Sequence, residues 1–305
     1  MVIMIAAVVL SAAAHAADAG TGSFSAAVYA SSRLVVFPLD AKEFSVPLPL
    51  TIRYLAFGAS GQSLYATAFT QLSATSLTSA PGLMKIEFNP VRVNRIPGFE
   101  AFYGIDRFAV SRREDLIAFG GARRDAAGTT TCGIYKYAMP SASPQPIVET
   151  SNCRAGSPWR VLDISPTTEE ALILANRRLA RLDLISGAIS PLGSQLWGGS
   201  FSPDGKWIAA LDLGGPSTPS RTILIDPKDS DRRRDLGGLN DDEVVWSPDS
   251  RFILHAVPQP ACPSQNPLAL ETIDIETGKR AVIPNSVCNT GLTRQMGWVR
   301  NDIAR

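Results

Sequence analysis

One short phrase recurs six times along this chain and constrains its fold more than any other feature. It is an apolar residue closing a strand, a turn built from Ser, Pro, Asp and Gly, and a second apolar run. Clear copies are GGSFSPDGKWIAALDL around Phe201 and EVVWSPDSRFILHAV around Trp246. Looser copies surround Phe57 (YLAFGASGQSLYATAF), Val110 (RFAVSRREDLIAFGG) and Ile164 (VLDISPTTEEALILA), and a clipped one, MGWVRNDIAR, surrounds Trp298. The anchors are 53, 54, 37, 45 and 52 residues apart, centred on the length of a four-stranded propeller blade. The uneven spacing belongs in loops.

Within each period a second hairpin follows the first, as in RRLARLDLISGAISPLG (Arg177 to Gly193) and LALETIDIETGKRAVIP (Leu268 to Pro284). Both turn at a glycine between alternating apolar runs. Two hairpins per repeat predict four antiparallel strands per blade. No stretch beyond the extreme N-terminus reads as an amphipathic helix, and 22 prolines and 24 glycines punctuate the chain as turns. The class is all-β.

The ends supply the sixth blade jointly. Trp298 leaves room for one strand, and the missing three are FSAAVYAS (Phe24 to Ser31), RLVVFPLD (Arg33 to Asp40) and EFSVPL (Glu43 to Leu48). Such closure removes the free sheet edges that invite aggregation. Residues 24–305 therefore read as one six-bladed β-propeller, a monomer, behind a flexible leader at 17–23.

Residues 1–16, MVIMIAAVVLSAAAHA, form an apolar run ending in Ala14-His15-Ala16. That is a signal peptide's apolar core and cleavage pattern, although no Lys or Arg precedes it. The run is short for a membrane span, so export to the periplasm or beyond, without membrane insertion after cleavage, is expected. The formal net charge of +1 offers nothing to attract nucleic acid or an acidic membrane.

The cysteines are Cys132, Cys153, Cys262 and Cys288. Four allow three pairings, and the blade register selects Cys132 with Cys153 and Cys262 with Cys288. Each pair occupies the start of a third strand and the exit of the fourth, at one end of a hairpin. A zinc site lacks Cys-x-x-Cys spacing. Of two histidines, His15 leaves with the signal peptide, and His255 falls in the second strand of blade five where other blades have Ala210 and Phe119. No catalytic triad, phosphate loop or multi-histidine centre is legible, so no catalytic residue, metal ligand or cofactor is assigned. Asp204 and Asp249 read as turn residues, and blades one to three keep the turn without that carboxylate.

Four residues upstream of the anchors stand Arg53, Asp106, Arg160, Trp197, Asp242 and Arg294. At the start of each innermost strand they predict a ring around one channel mouth, either paired internally or able to bind a carboxylate or peptide terminus. With only two carboxylates for three arginines, one guanidinium should stay unpaired. Long loops between second and third strands should crowd the same face: 70–82, 120–131, 214–220 and 258–267.

FSPDGKWIAAL, WSPDSRFIL and the hairpin TIDIETGKR resemble the propeller repeat of the TolB family, related to the propeller of prolyl oligopeptidases. The resemblance is strongest over Gly198 to Pro284 and recognisable over Arg53 to Leu192. It implies an exported six-bladed propeller that binds a protein or ligand. It does not extend to TolB's N-terminal α/β domain or to the oligopeptidases' hydrolase domain, so it carries neither Tol-Pal membership nor peptidase activity. Two functions follow. One is a non-enzymatic propeller binding an envelope or extracellular protein, a peptide or a small acidic ligand at the channel mouth. The other is a lactonase-like hydrolase or lyase holding a divalent cation among acidic channel residues. The mixed, Arg-rich rim favours the first.

Overall fold

The computed structural model describes residues 24–30, 33–37, 44–48, 52–73, 76–79, 82–124, 127–139, 143–151, 153, 159–193, 195–214, 220–237, 244–258, 268–283, 286 and 296–300. The signal-peptide and leader expectations, Asp242, Arg294, Cys262 and Cys288 lie outside them. Among the described residues there are strands and turns and no helix.

Three strands near the start, β1 (Phe24–Ala30), β2 (Arg33–Phe37) and β3 (Phe44–Pro47), form the closing blade with a strand from the far end, β25 (Met296–Arg300). The order is β25-β1-β2-β3, with Ala26 opposite Trp298. Blade one is β4 (Ile52–Phe57), β5 (Ser63–Ser73), β7 (Leu83–Glu87) and β8 (Arg92–Ile96), with β6 (Ser76–Ser79) added beside β5. Blade two is β9 (Phe102–Val110), β10 (Leu116–Arg124), β11 (Thr130–Ala138) and β12 (Gln145–Thr150). Blade three runs from β13 (Trp159–Ile164) through β14 (Glu170–Ala175) and β15 (Arg178–Asp183) to β16 (Ile189–Pro191). Blade four comprises β17 (Leu196–Phe201), β18 (Ile208–Asp212), β19 (Arg221–Asp226) and β20 (Asp229–Asp235). Blade five comprises β21 (Val245–Trp246), β22 (Phe252–Pro258), β23 (Leu268–Asp274) and β24 (Arg280–Val282). Each inner strand packs beside the next, from β4 through β9, β13, β17 and β21 to β25, and β25 returns to β4. The ring is closed by strands from both ends.

The core lies between blades. Leu64, Ile86 and Phe88 of blade one meet Leu34, Val36 and Val299 of the closing blade. Phe99, Phe102, Phe119, Tyr135 and Tyr137 pack with Tyr65 across the seam of blades one and two. Full burial of such side chains contributes about 1.5–3 kcal/mol each, and every seam uses residues from two blades. Neither face of a blade is satisfied alone.

The recurring turn is one structure in five settings. The backbone N–H groups of Ser111, Ser165, Ser202 and Ser247 each donate to the carbonyl five residues on at 2.8 Å, and that of Gly58 does the same at 2.9 Å. In blade four Ser202 Oγ donates to Asp204 Oδ1 at 2.7 Å and accepts from the Trp207 N–H. Ser247 and Asp249 repeat the bond in blade five. Blade two corrects one expectation, because its turn does have a capping carboxylate: Ser111 Oγ donates to Asp115 Oδ1 at 2.7 Å. Charge has swapped places, with Arg113–Asp115 where blade four has Lys206–Asp204.

Two expected loops are strands. The 70–82 stretch continues β5 into a hairpin with β6, Thr70 opposite Thr78, and the 120–131 stretch extends β10 and β11 as far as Arg124 opposite Thr130. Small polar composition suggested loops, but threonine suits a pleated surface.

Candidate functional site

The inner strands wall a central cavity of about 590 Å³. Its walls are mixed: Tyr54, Phe57, Phe108, Leu162, Val245, Trp246 and Trp298 supply apolar surface beside polar surface of similar extent. Three charged residues join them among the described residues, namely Arg107, Arg112 and Asp163. Gly58, Ala59, Arg112 and Pro248 belong to the recurring turns, so the cavity reaches the turn face of the disc. Trp246 fixes part of the wall by donating its indole N–H to the Ser200 carbonyl of the neighbouring blade at 3.0 Å.

Asp163 ties blade three to blade four. Its Oδ2 accepts from Ser200 Oγ and the Phe201 N–H, both at 2.8 Å, and its Oδ1 accepts from the Ile164 N–H at 2.8 Å. It is half-buried and lines the cavity. Burial pushes its carboxyl above the usual aspartate range, against the opposing pull of the Arg112 charge and these hydrogen bonds. Asp163→Asn should destabilise the fold by about 2 kcal/mol, because an amide cannot accept from all three donors. Urea denaturation checks this, and a variant at least as stable as wild type would show that relief of the buried charge outweighs the hydrogen bonds.

The six sequence-predicted rim positions distribute differently from the cavity lining. Arg160 is exposed on β13, Asp106 and Trp197 are half-buried on β9 and β17, and Arg53 lies on β4. The cavity takes Tyr54, Arg107, Val161 and Gly198 from those same strands. The physical reason is a bulge in each. Extra residues fall at Arg53 in β4, at Asp106-Arg107 in β9, at Leu162 in β13 and at Gly198 in β17. A bulge reverses which way later residues point, and here it falls at different distances from the anchor. A constant offset of four therefore reaches different faces in different blades.

Arg112 and Asp163 had signals in the aligned copies. Asp163 stands one residue before its anchor, where the others have Ala56, Ala109, Ser200, Val245 and Gly297. Arg112 follows the turn serine, where Pro166, Pro203 and Pro248 stand in later blades and Ala59 in blade one. A charge replacing a proline or alanine is visible without a structure.

His255 is far from this chemistry. It is fully buried in blade five, with Nε2 at 2.9 Å from Glu271 Oε1. Burial would raise the Glu271 carboxyl, but His255 and Arg280 hold it below its ordinary value.

No model of a known protein family matches this chain. No curated protein matches it either. Solved structures do. Superposition on TolB from Acinetobacter baumannii gives a TM-score of 0.67 at 15% identity, over 96% of this chain and 72% of that one. The chain shares the six-bladed β-propeller fold of these structures. An oligogalacturonate lyase from Vibrio parahaemolyticus is similar at a TM-score of 0.52 and 10% identity, over 85% of this propeller and 84% of that chain. A puromycin hydrolase gives 0.55 and 13%, over 88% of this propeller and 46% of that chain. At such identities the likeness is one of fold, which these proteins use for different chemistry.

Proposed function

We propose that the propeller is an exported, non-enzymatic binding protein that receives a peptide or small ligand of the cell envelope or exterior in its central channel. One observation carries the reading: a preformed cavity of ligand size, walled by aromatic and aliphatic side chains, whose wall carboxylate is spent on joining two blades. An acidic residue tied down by three protein donors is poorly placed for general acid–base work or for holding a cation. The walls belong to strands locked into sheets, so binding needs little ordering. The opposite mouth, with exposed Arg160 and half-buried Trp197, offers a second contact surface where Arg53, Asp106, Asp242 and Arg294 would complete a recognition rim. The Cys132–Cys153 disulfide fits an oxidising compartment.

A soluble mixture of short peptides, half with free and half with amidated C-termini, tests the reading by affinity selection and mass spectrometry. Ala59→Trp, placed at the turn-face end of the cavity, should weaken retained peptides at least tenfold while leaving the melting temperature near wild type. Peptides that bind both proteins alike, or none retained at millimolar concentration, would overturn channel binding.

A further inference from the structure

We infer that Arg112 is the anchor of an anion subsite at the turn-face end of the channel, where it receives the carboxylate of a ligand whose apolar body lies along the aromatic wall. The inference rests on the binding reading above and names the ligand's chemistry. It concerns the turn-face end of the channel and not the recognition rim proposed above.

Three observations converge. Arg112 lines the cavity and is half-buried, yet it makes no hydrogen bond and no ion pair within 4.0 Å among the described residues. Its neighbour Arg113 shows what the same turn does with a charge meant for solvent: that side chain is 82% exposed and sits 3.0 Å from Asp115. The turn therefore sends one guanidinium outward to an ion-pair partner and one to the cavity with no hydrogen-bonding partner among the described residues.

Second, the carboxylate best placed to neutralise Arg112 is already committed. Asp163 is the acid in the wall among the described residues, and its field reaches Arg112. Both of its oxygens, however, are taken by Ser200, Phe201 and Ile164 donors at 2.8 Å. It holds the positive charge near the cavity without filling the guanidinium's hydrogen-bonding fork. A guanidinium presents five donors in a plane that matches a carboxylate edge to edge.

Third, the surroundings of Arg112 suit an amphiphilic acid better than a bare inorganic anion. Trp246, Phe57, Val245 and Trp298 are wall residues of the same cavity. A small hydrophilic anion would gain the guanidinium and leave that apolar surface wet. A carboxylate joined to an aliphatic or aromatic body gains both. Two sources share this chemistry, a peptide's C-terminus and a free small acid.

The test uses isothermal titration of the mature protein with three probes: N-acetyl-Ala-Ala-Leu as the free acid, the same peptide as its C-terminal amide, and 4-methylpentanoate. The free acid should bind at least tenfold more tightly than the amide. Arg112→Gln should erase that preference, Arg112→Lys should keep part of it, and Arg113→Gln, which removes equal charge from the same turn, should leave it intact. Thermal melts of each variant confirm folding. A tripeptide that outcompetes 4-methylpentanoate identifies a peptide terminus as the ligand, and the reverse identifies a small acid. Either supports the subsite. Acid and amide binding alike, with both lost in Ala59→Trp, would remove the anion subsite and leave channel binding standing. Failure of all three probes would remove both, and an acid preference that survives Arg112→Gln would place the anion site elsewhere.

Discussion

Glu114→Ala is expected to lower the stability of the propeller by about 3 kcal/mol, although Glu114 lies in a surface turn. Its carboxylate crosses from the turn of blade two into blade one. There Oε2 accepts from Tyr65 Oη at 2.8 Å and Ser63 Oγ at 3.1 Å, and Oε1 accepts from Ser60 Oγ at 2.9 Å. Lys85 Nζ stands 3.6 Å from Oε2. Tyr65 is fully buried, so truncation removes the acceptor that its phenol uses in the fold. Two further substitutions separate the causes. Glu114 has φ of 56°, a conformation costing a non-glycine residue about 1 kcal/mol. Glu114→Gly should therefore be about 1 kcal/mol more stable than Glu114→Ala, and Glu114→Gln, which keeps one acceptor, should lie nearer wild type than either. The pH dependence has a definite sign. Burial opposes ionisation, but the bonds from Tyr65 and Ser60 and the Lys85 charge hold the carboxyl below its ordinary 4.5. A lowered folded-state value contributes stability above the unfolded value and loses it as pH falls through the folded one. The gap between wild type and Glu114→Gln should thus be full at neutral pH and close as pH falls below the ordinary carboxylate range and through the lowered folded-state value. Urea denaturation across that range measures it, and a gap independent of pH would show that shape alone accounts for the effect.

The same residue marks the boundary of what the sequence makes legible. Strand alternation, turn chemistry and the sharing of one blade between the chain ends are local or periodic signals, and the six copies of one phrase reinforce each other. Ser202, Asp204 and Gly205 state their turn openly. Glu114 states nothing, because its partners Ser60, Ser63 and Tyr65 lie about fifty residues away and are brought near only when blades one and two pack. The channel lining was hidden for a different reason. Bulges at Arg53, Asp106-Arg107, Leu162 and Gly198 occupy no common place relative to the anchors. Counting back a fixed number of residues therefore finds the right strands and passes over the residues that line the cavity. Arg112 was legible as a substitution at a proline position, but only the closed ring shows that this position faces the axis.

Reduction of the Cys132–Cys153 disulfide should cost about 3 kcal/mol, the chain-entropy value for a loop of this size. The two cysteines are 21 residues apart in sequence and their Cα atoms 5.7 Å apart. Cys132 is buried near the start of β11 opposite Thr150, and Cys153 follows the end of β12. The bond therefore pins the outer strand of blade two beside its other side-chain ties, among them Glu149, which accepts from Tyr135 Oη at 2.8 Å and pairs with Arg123 at 2.9 Å. Loss should be local first. Amides of β12 should exchange faster with solvent after reduction, while those of β10 and β11, held between two strands each, should change little. The blade should persist, because Phe119 and Tyr135 of its inner strands stay packed against Phe102 at 5.0 and 4.7 Å between ring centres. Calorimetry and hydrogen exchange, with and without reductant, give the two readouts. A thermal shift below about 1 °C, or exchange that rises equally in all six blades, would mean that the bond does not restrain β12. The pairing of Cys262 with Cys288 follows the same logic of strand start and strand exit. If it forms, the denatured, unreduced protein has no thiol to titrate, and two thiols would confine the stapling to blade two.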